Sequence, residues 1–242
     1  MRTSNWKDAV TLPALLLTLP LMAGHGVAVA ADPVGQDTMP CPGALAWLAA
    51  HPDESNSAMT QRDAARTFSD PALRADLAER FVRDQDARNA WIAHRGAPGL
   101  SAWVNRVDAD NLQWLHRLVR RKGFPTVAQV GERGVRNAWL LLQHADQDPA
   151  FQAALLPVLM QRHADGELDG MTLSRFVDRV MVAGHQPQRY GTQFSPEAWA
   201  TAHFGLPDEQ AVQDVDDHRR ALEIMPLADY VCMMSYVRRP RP

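Results

Sequence analysis

Residues 132–149 read Glu132-Arg133-Gly134-Val135-Arg136-Asn137-Ala138-Trp139-Leu140-Leu141-Leu142-Gln143-His144-Ala145-Asp146-Gln147-Asp148-Pro149. Val135, Ala138, Leu141, Leu142 and Ala145 recur at spacings of three and four, the period of one buried helix face. Asp146-Gln147-Asp148 interrupts that face. Asp148 before Pro149 is an N-cap followed by proline in a first turn, so a second helix starts there. The stretch therefore reads as helix, break, helix, and the same grammar extends in both directions.

Upstream, Gly123-Phe124-Pro125 stops a helix that begins at Asp108 or Asp110 and runs through Lys122. Ser69 or Asp70 caps an earlier one with Pro71 in its first turn, running to about His94, where Gly96, Pro98 and Gly99 end it. Downstream, the helix from Pro149 reaches His163 and the turn Asp165-Gly166. Met171–Ala183 follows, closed by Gly184. Short helices are expected around Pro196–His203, Asp208–Leu222 and Leu227–Met233, and near the N-terminus at Ala44–Ala50 and Ala58–Phe68. No strand-length alternation persists and no hairpin turn sits between β-branched runs. The expected fold is all-α: a single irregular helical bundle domain with an N-terminal helical extension.

The chain has 242 residues, 46% of them hydrophobic and 22% charged. These values exclude collagen-like, fully disordered and multi-spanning membrane proteins. Residues 1–30 combine Arg2 and Lys7 with an apolar run and end in Ala28-Val29-Ala30, the order of a secretory leader cleaved near Ala30. Beyond it 23 basic and 27 acidic groups remain. That balance argues against a nucleic-acid partner. No later segment is apolar enough to span a membrane, so the expectation is a periplasmic or secreted protein, without a membrane partner after cleavage. The plan is leader 1–30, linker and short helices 31–68, helical domain 69–236, and a basic frayed tail 237–242. In an oxidising compartment, Cys41 and Cys232 read first as a disulfide.

Polar residues that interrupt buried faces mark candidate chemistry. Leu73, Leu77 and Phe81 form a stripe that continues through Asp84, Gln85 and Arg88. Asp84 and Arg88 can pair four residues apart, either as a structural ion pair or as groups lining a cleft. His144 stands at a helix end with Asp146 available to orient a ring nitrogen. Asp178 lies in the apolar run Phe176–Val182 and needs a partner, with Arg175 and Arg179 nearest. The loop after Gly184 concentrates Gln188, Arg189, Tyr190, Thr192 and Gln193 around Gly191, as ligand-recognition loops do. His-Glu-x-x-His, Gly-x-Ser-x-Gly and phosphate-binding glycine loops are missing, so neither metal nor cofactor is expected.

Trp139–Asp146, Asp148-Pro149-x-Phe151-Gln152, Asp178-Arg179-Val180 and Gln188-Arg189-Tyr190-Gly191-Thr192-Gln193 resemble an uncharacterised bacterial family, domain of unknown function 6624. Asp84-Gln85-x-x-Arg88 and Gly123-Phe124-Pro125 fit its earlier part, and Val215-Asp216-x-x-Arg219 with Leu227 and Tyr230 its end. The chain departs from the pattern at Ile224-Met225-Pro226, where the family has glycine. The resemblance covers roughly residues 70–236 and implies no activity.

Two functions follow as expectations. One is an exported hydrolase or transferase in which His144 moves a proton and Asp146 or Asp178 orients it. Asp84, Gln85, Arg88 and Arg179, with Gln188, Tyr190, Thr192 and Gln193, would hold an anionic or amide group of a small molecule or envelope component. The other is a non-catalytic binding or scaffold domain with the same groups in a structural network. Either way Arg88, His144, Asp178 and Tyr190 are expected around one cavity.

Overall fold

A computed structural model of the chain describes residues 39–52, 56–94, 97–193 and 209–237. The leader, the Pro196–His203 segment and the end of the tail lie outside the described residues. Those described form α1 (Pro42–Ala50), α2 (Asn56–Ala64), α3 (Pro71–Ala93), α4 (Pro98–Lys122) and α5 (Val127–Gln143). Then come α6 (Pro149–Ala164), α7 (Gly170–Ala183), α8 (Glu209–Ala221) and α9 (Leu227–Val237). There is no strand among them, and the fold is all-α.

The caps sit where side-chain oxygens can meet free backbone donors. Asp70 accepts from Leu73 N at 3.1 Å, Asp148 from Phe151 N at 2.9 Å and Asp169 from Thr172 N at 2.7 Å. One start is misplaced by the sequence reading. Helix α4 begins at Pro98, ten residues before Asp108. Pro98 and Gly99 read as the stop of the preceding helix, but proline at a first helical position is equally a start. Asp108 is thus an interior residue of α4 and caps nothing.

Helix α5 also begins earlier than its apolar period suggests. Gly131 breaks it with φ 75 and ψ 171, a conformation glycine adopts without a steric cost. The break frees backbone donors, and Asp63 of α2 supplies the acceptor. It accepts from Glu132 N at 2.8 Å and Arg133 N at 3.1 Å. A carboxylate borrowed from another helix therefore caps the second half of α5, which starts where the sequence period starts.

Helices α3 and α4 are antiparallel, as successive rungs show: Lys122–Asp70, Arg80–Asp110 and Arg88–Asp108. Helix α5 runs in the direction of α3, since Ser69 N bonds Ala128 O at one end and His144 meets Asp84 at the other. The main core lies among α3–α7, with Leu77, Leu115, Leu141, Leu142, Leu159 and Phe176 almost wholly buried. A second, methionine-rich core joins α1 to α9 through Ala44, Met225 and Tyr230. There Cys41 and Cys232 are disulfide-bonded with Cα atoms 5.8 Å apart, the pairing expected from the sequence. No helix among the described residues is long and apolar enough to cross a membrane.

Candidate active site

Three helices meet at one polar layer. Asp84 of α3 is fully buried, and a carboxylate there is costly unless it is surrounded by donors. It has three. Arg88 Nη1 donates to Oδ1 at 2.7 Å, Gln85 Nε2 to Oδ2 at 2.8 Å, and His144 Nδ1 lies 3.0 and 3.1 Å from the two oxygens. An ionised carboxylate only accepts, so Nδ1 carries a ring hydrogen, and in the neutral ring Nε2 is then the basic nitrogen. No described residue is bonded to Nε2. Arg88 then turns Nη2 to Asp108 of α4, 2.8 and 2.9 Å from its oxygens. Burial pushes the Asp108 carboxyl above the usual range, and the guanidinium pulls part of that back.

The layer meets solvent at one edge. Side-chain exposure is 17% for His144, 19% for Arg88 and 13% for Asp108, against none for Asp84. Three clefts of 310, 290 and 520 Å³ lie elsewhere, and none is lined by these residues. Asp84, Asp108 and His144 place one donor atom each within 4.8 Å of one another, the spacing of a cation site. Arg88 nevertheless bonds both carboxylates and Nδ1 points at Asp84 itself. The guanidinium already stands where a cation would bind.

The other candidates fall into two groups. Asp146 is not the orienter of His144: its Oδ2 pairs with Arg179 Nη1 at 2.9 Å, and its Oδ1 accepts from Gln152 Nε2 at 3.3 Å. In the amide orientation that satisfies both groups, the Gln143 side-chain oxygen accepts from Arg179 Nε at 3.0 Å. Arg179 thus ties α7 to the end of α5.

Asp178 serves the loop instead. Its Oδ1 accepts from Arg189 N at 2.8 Å and Tyr190 N at 3.0 Å, and its Oδ2 from Thr192 N and Oγ1, both at 2.8 Å. Burial pushes the Asp178 carboxyl up and these four donors pull it back. The Gln188 side chain closes the loop on the Gln193 backbone, its Nε2 donating to Gln193 O and its Oε1 accepting from Gln193 N, both at 2.7 Å. Tyr190 is buried and its carbonyl accepts from Arg219 Nη1 at 2.6 Å. The expected convergence on one cavity is therefore corrected. Arg88 and His144 share a network through Asp84, whereas Asp178 and Tyr190 share another, and no hydrogen bond among the described residues joins the two. The loop is a brace between α7 and α8, held by its own amides.

The sequence reading missed Asp108, Gln152 and Arg219 as network members. Asp108 was findable: with α4 begun at Pro98, Val107, Asn111, Leu115 and Leu118 form its buried stripe, beside which Asp108 and Asn111 are polar interruptions. Arg219, wholly buried on α8, lies outside any apolar run that would draw attention to it. Burial lowers its guanidinium to about 10, so it stays cationic at neutral pH.

A family model described as "Family of unknown function (DUF6624)" matches residues 70–237. A protein named "Protein phosphatase methylesterase 1", from Neurospora crassa, is 28% identical over 142 residues, which are 57% of this chain and 29% of that protein. The chain thus spans under a third of that relative's length. No solved structure matches.

Proposed function

Since the chain belongs to this family of unknown function, and membership brings no activity with it, we propose from the site itself that it is a hydrolase or transferase working by general acid–base catalysis at His144. One observation carries the reading: a buried carboxylate holds Nδ1 of a partly exposed histidine, whose Nε2 has no partner among the described residues. In such a pair Nε2 takes a proton from water or a substrate hydroxyl, the adjacent carboxylate stabilises the imidazolium, and the proton returns to the leaving group. Arg88 pairs with Asp84 and is itself held by Asp108. Arg88 is not the anion holder of the sequence reading, because both its Nη atoms are engaged by carboxylates. The name of the Neurospora relative is compatible with hydrolysis. The missing Gly-x-Ser-x-Gly means that no serine nucleophile of that kind is expected.

A panel of ester, amide and glycoside substrates, together with mass spectrometry of co-purifying small molecules, tests the reading. Any activity found should fall at least about 100-fold in His144→Ala, the lower bound for a general base. Unchanged turnover in that variant would remove His144 from the chemistry. A scaffold role is the second reading, favoured by Arg88 tying two carboxylates on two helices. It predicts no turnover in any assay and a loss of about 1–3 kcal/mol of stability in His144→Ala.

We also propose that the protein is exported. The leader pattern and the Cys41–Cys232 bridge support this. N-terminal sequencing of periplasmic protein should begin near Ala31.

A further inference from the structure

Gln152, in the first turns of α6, is 1% exposed. Its Nε2 faces three acceptors: Leu142 O at 3.0 Å, Gln143 O at 3.4 Å and Asp146 Oδ1 at 3.3 Å. Leu142 and Gln143 are the last residues of α5, where the intrahelical ladder runs out; Leu142 O also accepts from Ala145 N at 3.1 Å, and His144 is the C-cap between them and Asp146. The other half of the amide is different. Gln152 Oε1 is buried and has no hydrogen-bond partner.

A buried acceptor left unpaired destabilises the fold, and an apolar side chain of similar volume would avoid that cost. Retaining the amide therefore makes sense only for its donors, and these donors act on the turn that carries His144. Arg179 clamps the same turn from α7 through Asp146 and Gln143. Gln152 reaches the backbone, which Arg179 does not, and so it fixes where the peptide of residue 144 leaves the helix.

We propose that Gln152 is a positioning residue for His144: its side-chain N–H groups lock the C-terminal turn of α5 so that Nδ1 stays on Asp84 and Nε2 stays at the solvent edge. The proposal rests on the general-base reading of His144 for its meaning. Its test does not, because the ring can be observed without a substrate.

The measurement is the two-bond ¹⁵N–¹H correlation of the histidine rings in the full chain with its disulfide intact, the His144 signals being assigned by their loss in His144→Gln. In the native protein His144 should show one protonated and one unprotonated nitrogen. In Gln152→Met, which keeps volume and removes both donors, the two nitrogens should move toward a common averaged position while the helical circular dichroism is unchanged. Gln152→Asn, which withdraws the amide by one methylene, should do the same if the methionine variant fails to fold. Unaltered His144 nitrogen shifts in a folded variant would overturn the proposal. Failure of both variants to fold would also overturn it, by assigning Gln152 to stability alone. Loss of the tautomer signature with no activity ever found would leave the positioning intact and sink only the catalytic reading.

Discussion

Asp84 is the residue on which the polar layer depends, and its replacement separates two of its roles. Asp84→Asn leaves Arg88 with Asp108, so the cation is not fully stranded, but it presents an amide to His144 Nδ1. The loss should be about 2–3 kcal/mol in urea unfolding, below the 3–5 kcal/mol of an abandoned buried ion. Asp108 carries a pH signature. Its carboxyl is raised by burial above 3.8, so the folded chain binds that proton more tightly than the unfolded one. The stability penalty is complete above the raised value and disappears as pH falls toward 3.8. Asp178, raised for the same reason, contributes with the same sign. Asp108→Asn should flatten the fall of unfolding free energy as pH rises above about 4. An unchanged slope would place the titration elsewhere. Asp84, Arg88 and His144 were visible in the sequence because each interrupts or ends an apolar stripe. Their grouping was not, since periodicity tells which face a residue occupies and not which neighbour that face meets. That is why His144 was matched with the nearby Asp146 instead of with Asp84, sixty residues away.

Among the elements, α5 decides where His144 stands, and its break at Gly131 decides where α5 points. A Cβ at Gly131 would lie 2.6 Å from both carboxylate oxygens of Asp63 and would also strike Arg74 Nη1. Gly131→Ala should therefore cost about 2–3 kcal/mol, combining left-handed strain with loss of the Asp63 cap. Thermal unfolding followed by circular dichroism measures it. The opposite case is Glu223, a non-glycine residue at φ 53. Glu223→Gly should stabilise by about 0.5–1 kcal/mol, the relief of left-handed strain less the added freedom of the unfolded chain. Helices α3, α6 and α7 were legible almost to the residue, because proline, capping aspartates and glycine stops punctuate them. The first turn of α5 and the first ten residues of α4 were not. There a glycine or proline belongs to an element that tertiary contacts continue or begin, and local signals report only an interruption.

At the scale of the molecule, the two cores are unequal. Helices α3–α7 enclose most of the apolar mass, while α1 rests on α9 through a few methionines, Tyr230 and the disulfide. The bridge spans 191 residues, and loop-closure arithmetic limits its contribution to about 5 kcal/mol. The geometry of the bridge also has a topological consequence. Between Cys41 and Cys232 the backbone and the sulfur bond form a covalent ring, and the exposed Asp165-Gly166 turn lies on its circumference. A ring opened once is still a single piece. A protease that nicks this turn should yield protein that migrates as one band without reductant and as two with it, so no single cut within the ring can shed a fragment.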